Sequence, residues 1–290
     1  TYLHDYENPE IIEKNKESAH AIWLPFDSFD EIAEPKASKY KLSLNGIWDF
    51  KWVFGDGAFP EDFYRPEYDS SGWDKLEVPS VWQLKGYGKP YYLAFDFPPA
   101  ISKKKSEIPK IDQSKNENGF FRRVFTLPES FSGREIFIHF GAVKSAFYLY
   151  INGEKVGYSQ GSMTPAEFNI TSLLKTGENL VSAQVIRFSD GTYLEDQDMW
   201  FFSGIYRDVY IYAEPKLFLR DIYARSLPDE TYTDWTLKVD VFIENETGRD
   251  SDVTVEALLC DYVDFRLIEN VEGSCATEHT GIISMSLVKL

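Results

Sequence analysis

The residues with the most evident chemistry lie in one short acidic run in the second half of the chain. Four carboxylates stand between Arg187 and Trp200, and they are Asp190, Glu195, Asp196 and Asp198. Tyr193 and Trp200 add ring surface, and Asp190-Gly191 is a turn signal. Aromatic faces beside carboxylates suit a sugar, because a sugar combines an apolar CH face with a rim of hydroxyl groups. The run therefore predicts a sugar-binding loop.

The same carboxylates allow two other kinds of chemistry. A glycosidase usually needs two carboxylates around the scissile bond, about 5 Å apart when the anomeric configuration is retained. Asp196 and Asp198 are two residues apart and would share one face of an extended strand. Clustered carboxylates also suit a hard cation. Arg187 and Arg207 flank the run, and we expect them to neutralise its carboxylates in internal ion pairs.

Composition narrows the class of protein. A chain of 290 residues with 43% hydrophobic residues is long enough for one large or two ordinary domains with a packed core. The net charge of −17 argues against nucleic acid and anionic membranes as partners, because both carry negative charge themselves. No apolar run approaches the roughly 18 residues of a membrane-spanning helix. A neutral sugar is compatible with this charge.

The cysteines and the first residues carry little information about the compartment. Cys260 and Cys275 are the only cysteines, which is not a disulfide framework. A bridge between them requires facing strands, and two free thiols are the alternative. The chain begins at Thr1 and shows no charged segment before an apolar stretch, so no signal peptide is visible. A cytoplasmic and a periplasmic location both stay open.

Short apolar segments separated by Gly, Asn and Pro turns predict an all-β fold. Over residues 39–215 they predict an antiparallel sandwich or jelly roll, with strands at 41–53, 124–127, 135–140, 146–151, 155–158, 179–188 and 209–212. Asn152-Gly153 predicts a hairpin turn, and 168–174 predicts a single helical turn. Residues 98–118 are rich in lysine and poor in apolar side chains, which predicts a solvated surface loop.

The two ends of the chain have different patterns. Residues 1–38 show no steady period and predict an extended arm with a short helical turn at 11–16. Residues 216–290 contain alternating apolar and polar positions and predict strands at 218–225, 236–244, 252–260, 264–271 and 283–290. An immunoglobulin-type sandwich needs about seven strands. Residues 216–290 are therefore predicted to form an incomplete, truncated immunoglobulin-like β-sandwich.

Several motifs along the chain resemble one family. The sequence has DYENP at 5–9, SLNGIWDF at 43–50, VPSVWQLKGY at 78–87, GYSQGS at 157–162, PAEF at 165–168, and the acidic run continuing to Val209. These motifs follow the order found in the β-galactosidases of glycoside hydrolase family 2 and extend over residues 5–213. The chain therefore resembles the N-terminal region of those enzymes.

The resemblance implies both a fold and a function. It implies a galactose-binding-like jelly roll before the immunoglobulin-like domain, and hydrolysis of terminal β-linked galactose in carbohydrate catabolism. In the family the catalytic carboxylates lie in a downstream (β/α)₈ barrel, whose alternating pattern is not seen here. We therefore expect a non-catalytic part that is inactive alone. Its partners would be a β-galactoside-type sugar and the rest of the parent chain, whose pocket it completes.

The resemblance also assigns site residues. The family residue that matches Asp190 contacts the sugar and a sodium ion shared with the barrel, although Asp190 could merely form the Asp-Gly turn. Trp82 and Trp200 would either stack on the sugar or anchor their loops. A sugar-binding Asn is expected where this chain has Val81, whose side chain neither donates nor accepts a hydrogen bond.

A second cation and two other functions follow from the same resemblance. Asp5, Asn8 and Gln160 lie in motifs near which some relatives hold a divalent ion, so magnesium joins sodium as a cofactor expected of the full-length parent. Capping and turn hydrogen bonds are the alternative role of these residues. The chain could instead be a stand-alone carbohydrate-binding module, since jelly rolls are common lectin folds. It could also serve assembly of a homo-oligomer through the arm at 1–38.

Overall fold

A computed structural model describes most of the chain. It covers residues 4–28, 31, 38–55, 57–93, 98–102, 104, 106–195, 197–260, 267–277 and 280–288. Asp196 of the acidic run and residues 264–266 of a predicted strand lie outside the described residues. The described chain forms two compact units, one made of Thr1–Glu17, Phe26–Ser132 and Ile136–Ala213, the other of Ser18–Pro25, Gly133–Glu135 and Glu214–Leu290.

The structure confirms the predicted all-β fold. Its named helices are short 3-10 turns at Asp5–Glu7, Trp82–Lys85, Gln113–Lys115, Glu129–Phe131, Thr171–Leu173 and Asp190–Tyr193. Within the described residues, no helix has the length and apolar character that a membrane crossing requires. Strand and turn residues therefore position every side chain discussed below.

The described part of the first unit contains fifteen strands, numbered here in chain order. They are β1 (Glu13–Lys14), β2 (Lys41–Ser43), β3 (Gly46–Phe54), β4 (Asp74–Val78), β5 (Tyr91–Tyr92), β6 (Glu117–Thr126), β7 (Glu135–Phe140), β8 (Val143–Lys144), β9 (Ala146–Ile151), β10 (Glu154–Gln160), β11 (Ala166–Asn169), β12 (Glu178–Ile186), β13 (Trp200–Phe201), β14 (Gly204–Ile205) and β15 (Val209–Glu214). A seven-stranded sheet has the order β1-β10-β9-β12-β6-β3-β4, and a four-stranded sheet has the order β11-β7-β15-β2.

The core of the first unit lies between these two sheets, which makes the unit a β-sandwich. Trp48, Phe50 and Phe121 of the seven-stranded sheet belong to the same buried cluster as Phe140 and Ile211 of the four-stranded sheet. Alternation along each strand sends one set of side chains into this core and the other set outward. Two short ribbons, β13 with β5 and β14 with β8, join loops outside the sheets.

The structure corrects three predictions about local structure. The strand predicted at 41–53 is two strands in different sheets, because the chain crosses between the sheets at Leu44 and Asn45. The helical turn predicted at 11–16 is wrong, since β1 forms there and pairs with β10. The end of the loop predicted at 98–118 is not solvated: Glu117 and Asn118 are only 2% and 3% exposed and begin β6.

The second unit is built from the last five strands of the described chain. They are β16 (Leu217–Pro228), β17 (Trp235–Asn245), β18 (Ser251–Cys260), β19 (Leu267–Thr277) and β20 (Thr280–Val288). A three-stranded sheet has the order β16-β17-β20, and β18 pairs with β19. Val239, Val241 and Ile243 of β17 form its core with residues of β20, as the alternating pattern predicts. The Cys275 thiol is free.

Candidate functional site

A buried ion pair fixes the start of the acidic run. Arg187 follows β12, and its Nη1 lies 2.5 Å from Oε1 of Glu117, with both residues almost fully buried. The indole N–H groups of Trp52 and Trp82 donate to the other oxygen of Glu117, at 3.1 and 3.2 Å. Gly88 makes this approach possible, because a Cβ there would lie 2.3 Å from the same carboxylate oxygen.

The ion pair ties together loops that are remote in sequence. Nη2 of Arg187 donates to the carbonyl oxygens of Lys89 and Phe201, each at 2.8 Å. Burial lowers the pKa of Arg187, and the charge and hydrogen bond of Glu117 act in the opposite direction. The prediction that Arg187 pairs with the carboxylates of its own loop is therefore wrong. Its partner comes from β6, which places the charge beneath the loop instead of within it.

Arg207 also has a different partner from the one predicted. Its Nη1 donates to the carbonyl oxygen of Met163 at 3.1 Å. Glu195 is held by Ser162, whose backbone N–H donates to it at 2.8 Å. Lys144 is 7% exposed, lies over the ring of Phe201 and is close enough to Glu195 to be affected by its charge. Burial lowers the pKa of Lys144, whereas Glu195 raises it.

The loop that carries Val81 and Trp82 is joined to the segment after the acidic run. The backbone N–H groups of Ser80 and Trp82 donate to the carbonyl oxygens of Ile205 and Ser203, at 2.8 and 3.0 Å. Gly204 permits this contact, since a Cβ there would lie 2.5 Å from the carbonyl oxygen of Ser80. The two sequence motifs that suggest sugar binding therefore form one continuous structure.

The two tryptophans predicted to bind sugar have opposite environments. Trp82 is 0% exposed, packs against Phe50 and donates its indole N–H to Glu117. It has no ring face open to a sugar and acts as the loop anchor. Trp200 is 52% exposed, so a large part of its ring is accessible. Val81 is half-buried at the start of the 3-10 turn Trp82–Lys85.

Trp200 belongs to an exposed group of rings that we call the aromatic patch, formed by Tyr92, Trp200 and Phe202. Pairing of β13 with β5 sets Trp200 opposite Tyr92, with ring centroids 5.5 Å apart. The Trp200 ring stacks on Phe202 at 5.7 Å with an interplanar angle of 7°. Tyr92 is 51% exposed, and its hydroxyl donates to Oδ1 of the exposed Asp198 at 2.5 Å. The hydrogen bond to Asp198 is the main cause that raises the pKa of Tyr92.

Asp190 lies in a different environment from Asp198, although both belong to the acidic run. Asp190 begins a 3-10 turn, is 6% exposed and accepts a hydrogen bond from the N–H of Gly191 at 2.9 Å. Its Oδ2 is buried without a hydrogen-bond partner among the described residues. Burial raises the pKa of Asp190, the hydrogen bond from Gln160 lowers it, and the charge of Glu7 raises it.

The structure brings Asp190 and Gln160 together close to the N-terminal motif. Tyr158 donates its hydroxyl hydrogen to Oε1 of Gln160 at 2.6 Å, and both Asp190 and Asp5 raise the pKa of Tyr158, although burial raises it most. Asp5 is held by Lys14 at 2.7 Å and accepts from the hydroxyl of Tyr148 at 3.2 Å.

Asn8 uses its side chain in a turn. Its Oδ1 accepts from the N–H of Glu10 at 3.2 Å. Across the described part of the chain, no group of three His, Cys, Asp or Glu residues is arranged to hold a metal ion. Asp190 has a buried carboxylate oxygen without a hydrogen-bond partner among the described residues, and oxygen is the ligand atom that hard cations prefer.

Comparison with known proteins identifies the family. Residues 42–215 match the family model described as "Glycosyl hydrolases family 2, sugar binding domain". The chain therefore belongs to glycoside hydrolase family 2. The β-galactosidase of Priestia megaterium is 41% identical over 257 residues, which are 88% of this chain and 25% of that protein. The β-galactosidase of Streptococcus thermophilus is 32% identical over 292 residues, covering 100% of this chain and 27% of that protein.

Solved structures share the fold. Bacteroides uniformis β-glucuronidase 2, covalently bound to cyclophellitol-6-carboxylate aziridine, superposes with a TM-score of 0.67 at 21% identity over 86% of this chain and 28% of that chain. A β-glycosidase from Bacteroides vulgatus gives a TM-score of 0.61 at 20% identity, covering 86% and 29%. The chain thus spans between a quarter and a third of the length of each of these proteins.

The ion pair of Glu117 and Arg187 makes a testable contribution to stability. Glu117→Gln should lower the free energy of unfolding by about 3–5 kcal/mol, because it leaves the buried Arg187 charge without its counterion. The measurement is equilibrium unfolding in urea. Glu77→Gln is the matched control: it removes an exposed pair with Lys85 at 3.4 Å and should cost less than about 1 kcal/mol. Equal effects of the two substitutions would contradict the role given to Glu117.

The raised pKa of Asp190 predicts a pH-dependent effect. The stability contributed by its neutral form is present below the ordinary Asp pKa of about 3.9 and is lost as pH rises through the raised value. Asp190→Asn should therefore unfold at higher urea concentration than the wild type near neutral pH, in the presence of a chelator. This advantage should shrink as the pH falls toward the ordinary Asp value. Asp198→Asn, an exposed carboxylate of the same run, should show no such pH-dependent gain.

Proposed function

We propose that this chain is the sugar-side, non-catalytic part of a glycosidase that removes terminal β-linked galactose, with the catalytic barrel elsewhere in the parent chain. Curated relatives that share most of its length are named β-galactosidases. The observation that carries the proposal is the aromatic patch with Asp198 at its edge. Rings and a carboxylate on one exposed surface match the two faces of a pyranose.

Asp198 is a better candidate than Asp190 for direct contact with the sugar. A carboxylate must reach a sugar hydroxyl within about 2.5–3.0 Å to accept its hydrogen bond. Asp198 is exposed and already orients the hydroxyl of Tyr92. Asp190 is 6% exposed, so its carboxylate is less accessible to a sugar. Within the acidic run, Asp190 is therefore the buried carboxylate and Asp198 the exposed one.

Val81 affects the substrate preference that we propose. It lies in the loop joined to Ser203 and Ile205, on the structure that carries the aromatic patch. Its isopropyl side chain offers no hydrogen bond to a sugar hydroxyl. Losing one such contact costs about 1 kcal/mol or more if the partner group stays buried. We therefore propose a galactoside substrate whose recognition depends more on ring stacking than on hydrogen bonds from this loop.

Hydrolysis of a chromogenic β-galactoside tests whether this chain is a non-catalytic part of the enzyme. The chain alone should be inactive, and mixing it with the remaining portion of the parent chain should restore activity. Activity of the chain alone would show that the acidic run is itself catalytic. Millimolar binding of galactose or lactose by the isolated chain in titration calorimetry would favour a stand-alone carbohydrate-binding module instead.

Substitutions in the aromatic patch test the sugar contact. In the complemented enzyme, Trp200→Ala and Asp198→Asn should each lower kcat/KM by about tenfold or more, because stacking and charge-assisted hydrogen bonds contribute about 1–3 kcal/mol. Tyr223→Ala removes an equally exposed ring (54%) from the second unit and should leave kcat/KM unchanged. If Trp200→Ala and Asp198→Asn change kcat/KM no more than Tyr223→Ala does, the aromatic patch does not contact the substrate.

We further propose that Asp190 and Gln160, near the turn Asp5–Glu7, hold a cation in the full-length parent. A magnesium or sodium ion would supply the positive charge that offsets the buried carboxylates of Asp190 and Glu7. Magnesium should raise the midpoint of thermal unfolding of the wild-type chain and leave that of Asp190→Asn unchanged, with sodium as the second cation tested. An equal rise in both proteins would place any bound cation elsewhere.

A further inference from the structure

The outer face of the seven-stranded sheet carries a pocket that the proposed function does not use. Its volume is about 330 Å³, and we call it the outer-sheet pocket. Asp49 of β3, Ser70 of the following loop, and Arg122 and Arg123 of β6 supply its polar lining. Ile47, Val124 and Leu180 supply an apolar wall. None of these residues belongs to the aromatic patch or to the surroundings of Asp190.

The strand register shows on which face of the sheet Asp49 and Arg122 lie. Asp49 lies directly opposite Arg122, and Arg122 lies directly opposite Ser182 of β12. Residues directly paired across antiparallel strands share one face of the sheet. Because Trp48 and Phe50 point into the core, the row of Asp49, Arg122 and Ser182 points outward.

Two buried polar atoms in this row have no hydrogen-bond partner among the described residues. They are Nε of Arg122 and Oγ of Ser182, on residues that are 5% and 0% exposed. Nη1 of Arg122 is already occupied, because it donates to the carbonyl oxygens of Phe63 and Tyr68 at 2.8 and 3.1 Å. Ser182 does not line the pocket, so Arg122 is the residue of this pair that a ligand in the pocket can contact. A buried donor without an acceptor is unfavourable.

The charges of the pocket select an anion over a neutral ligand. The carboxylate of Asp49 is engaged by Ser70 at 2.7 Å and by Lys75, so it does not neutralise Arg122 fully. Burial lowers the pKa of Arg122, while the charges of Asp49, Tyr68 and Glu67 raise it. Asp49 nevertheless stays in the pocket and would repel a dianion more strongly than a monoanion. A guanidinium edge matches the planar oxygens of a carboxylate.

The apolar wall of the pocket indicates the chemistry of the rest of the ligand. Ile47 and Val124 are 59% and 56% exposed, which is high for branched aliphatic side chains at the edge of a concave site. We propose that the outer-sheet pocket binds a small monocarboxylate, with its carboxylate beside Arg122 and its carbon body against Ile47 and Val124. The carbon body is either a short aliphatic chain or a sugar ring that bears a carboxylate.

Ligand-observed saturation-transfer NMR on the 290-residue chain tests this site. Isobutyrate should bind with a Kd on the order of 1 mM, the range expected for a ligand with few heavy atoms. Isobutanol, which has the same shape without the charge, should not bind measurably. D-glucuronate is tested in the same way, with D-glucose as its uncharged counterpart. Tighter binding of D-glucuronate than of isobutyrate would identify a sugar acid as the preferred ligand, and the reverse would identify an aliphatic acid. Binding of neither acid, or equal binding of isobutanol, would overturn the proposal.

A matched pair of substitutions at the exposed rim separates the pocket from general surface binding. Val124→Glu places a negative charge beside the proposed carboxylate and should weaken acid binding by about tenfold or more. Val124→Gln introduces a side chain of the same size as glutamate without the charge, and it should change acid binding little. Both variants keep Arg122, whose hydrogen bonds hold the loop over the sheet, so both should fold as the wild type does. Equal affinity of the two variants, or equal competition by inorganic phosphate, would show that the acid does not bind in this pocket.

Discussion

The buried ion pair between Glu117 and Arg187 is the interaction on which the loops around the acidic run depend. A charge pair withdrawn from water is tolerated only when its remaining hydrogen-bonding groups are satisfied. Here two indole N–H groups complete Glu117, and two backbone carbonyl oxygens complete much of Arg187. The requirement for those four partners fixes the positions of three chain segments that are far apart in sequence, at Trp52, at 82–89 and at Phe201. Gly88 is part of the same constraint, because any side chain there would displace the carboxylate.

The arrangement explains why one tryptophan is an anchor and the other is accessible. Trp82 is needed as a donor to Glu117 and is therefore drawn into the core with Phe50. Phe201 is held through its carbonyl by Arg187, and the alternation of an extended strand then sends the neighbouring Trp200 to the opposite face. The exposed Trp200 ring and the backbone contact with Arg187 therefore belong to adjacent residues of one short strand. Family membership gives a reason for such a surface, since the matched domain is a sugar-binding one.

Environment also separates carboxylates that the sequence presents as one cluster. Asp190 begins a 3-10 turn under the loop, where burial raises its pKa, whereas Asp198 lies at the surface beside a tyrosine hydroxyl. Glu195 is bound by Ser162 and shares its surroundings with the buried Lys144. Three carboxylates within nine residues therefore have three different partners and three different electrostatic roles. Proximity in sequence did not predict which of them could reach a ligand.

The sequence by itself determined the all-β class, most strand positions and the family, because these depend on local alternation, turn residues and ordered motifs. The hairpin at Asn152-Gly153 is an example: both residues have positive φ, as that turn demands. The sequence also indicated that the acidic run is the place to look for sugar binding. Only the tertiary structure decided that Arg187 pairs with Glu117, that Trp82 is buried, and that Tyr92 joins Trp200. The physical reason is that burial and ion pairing depend on which distant strands become neighbours, and a local pattern carries no information about that.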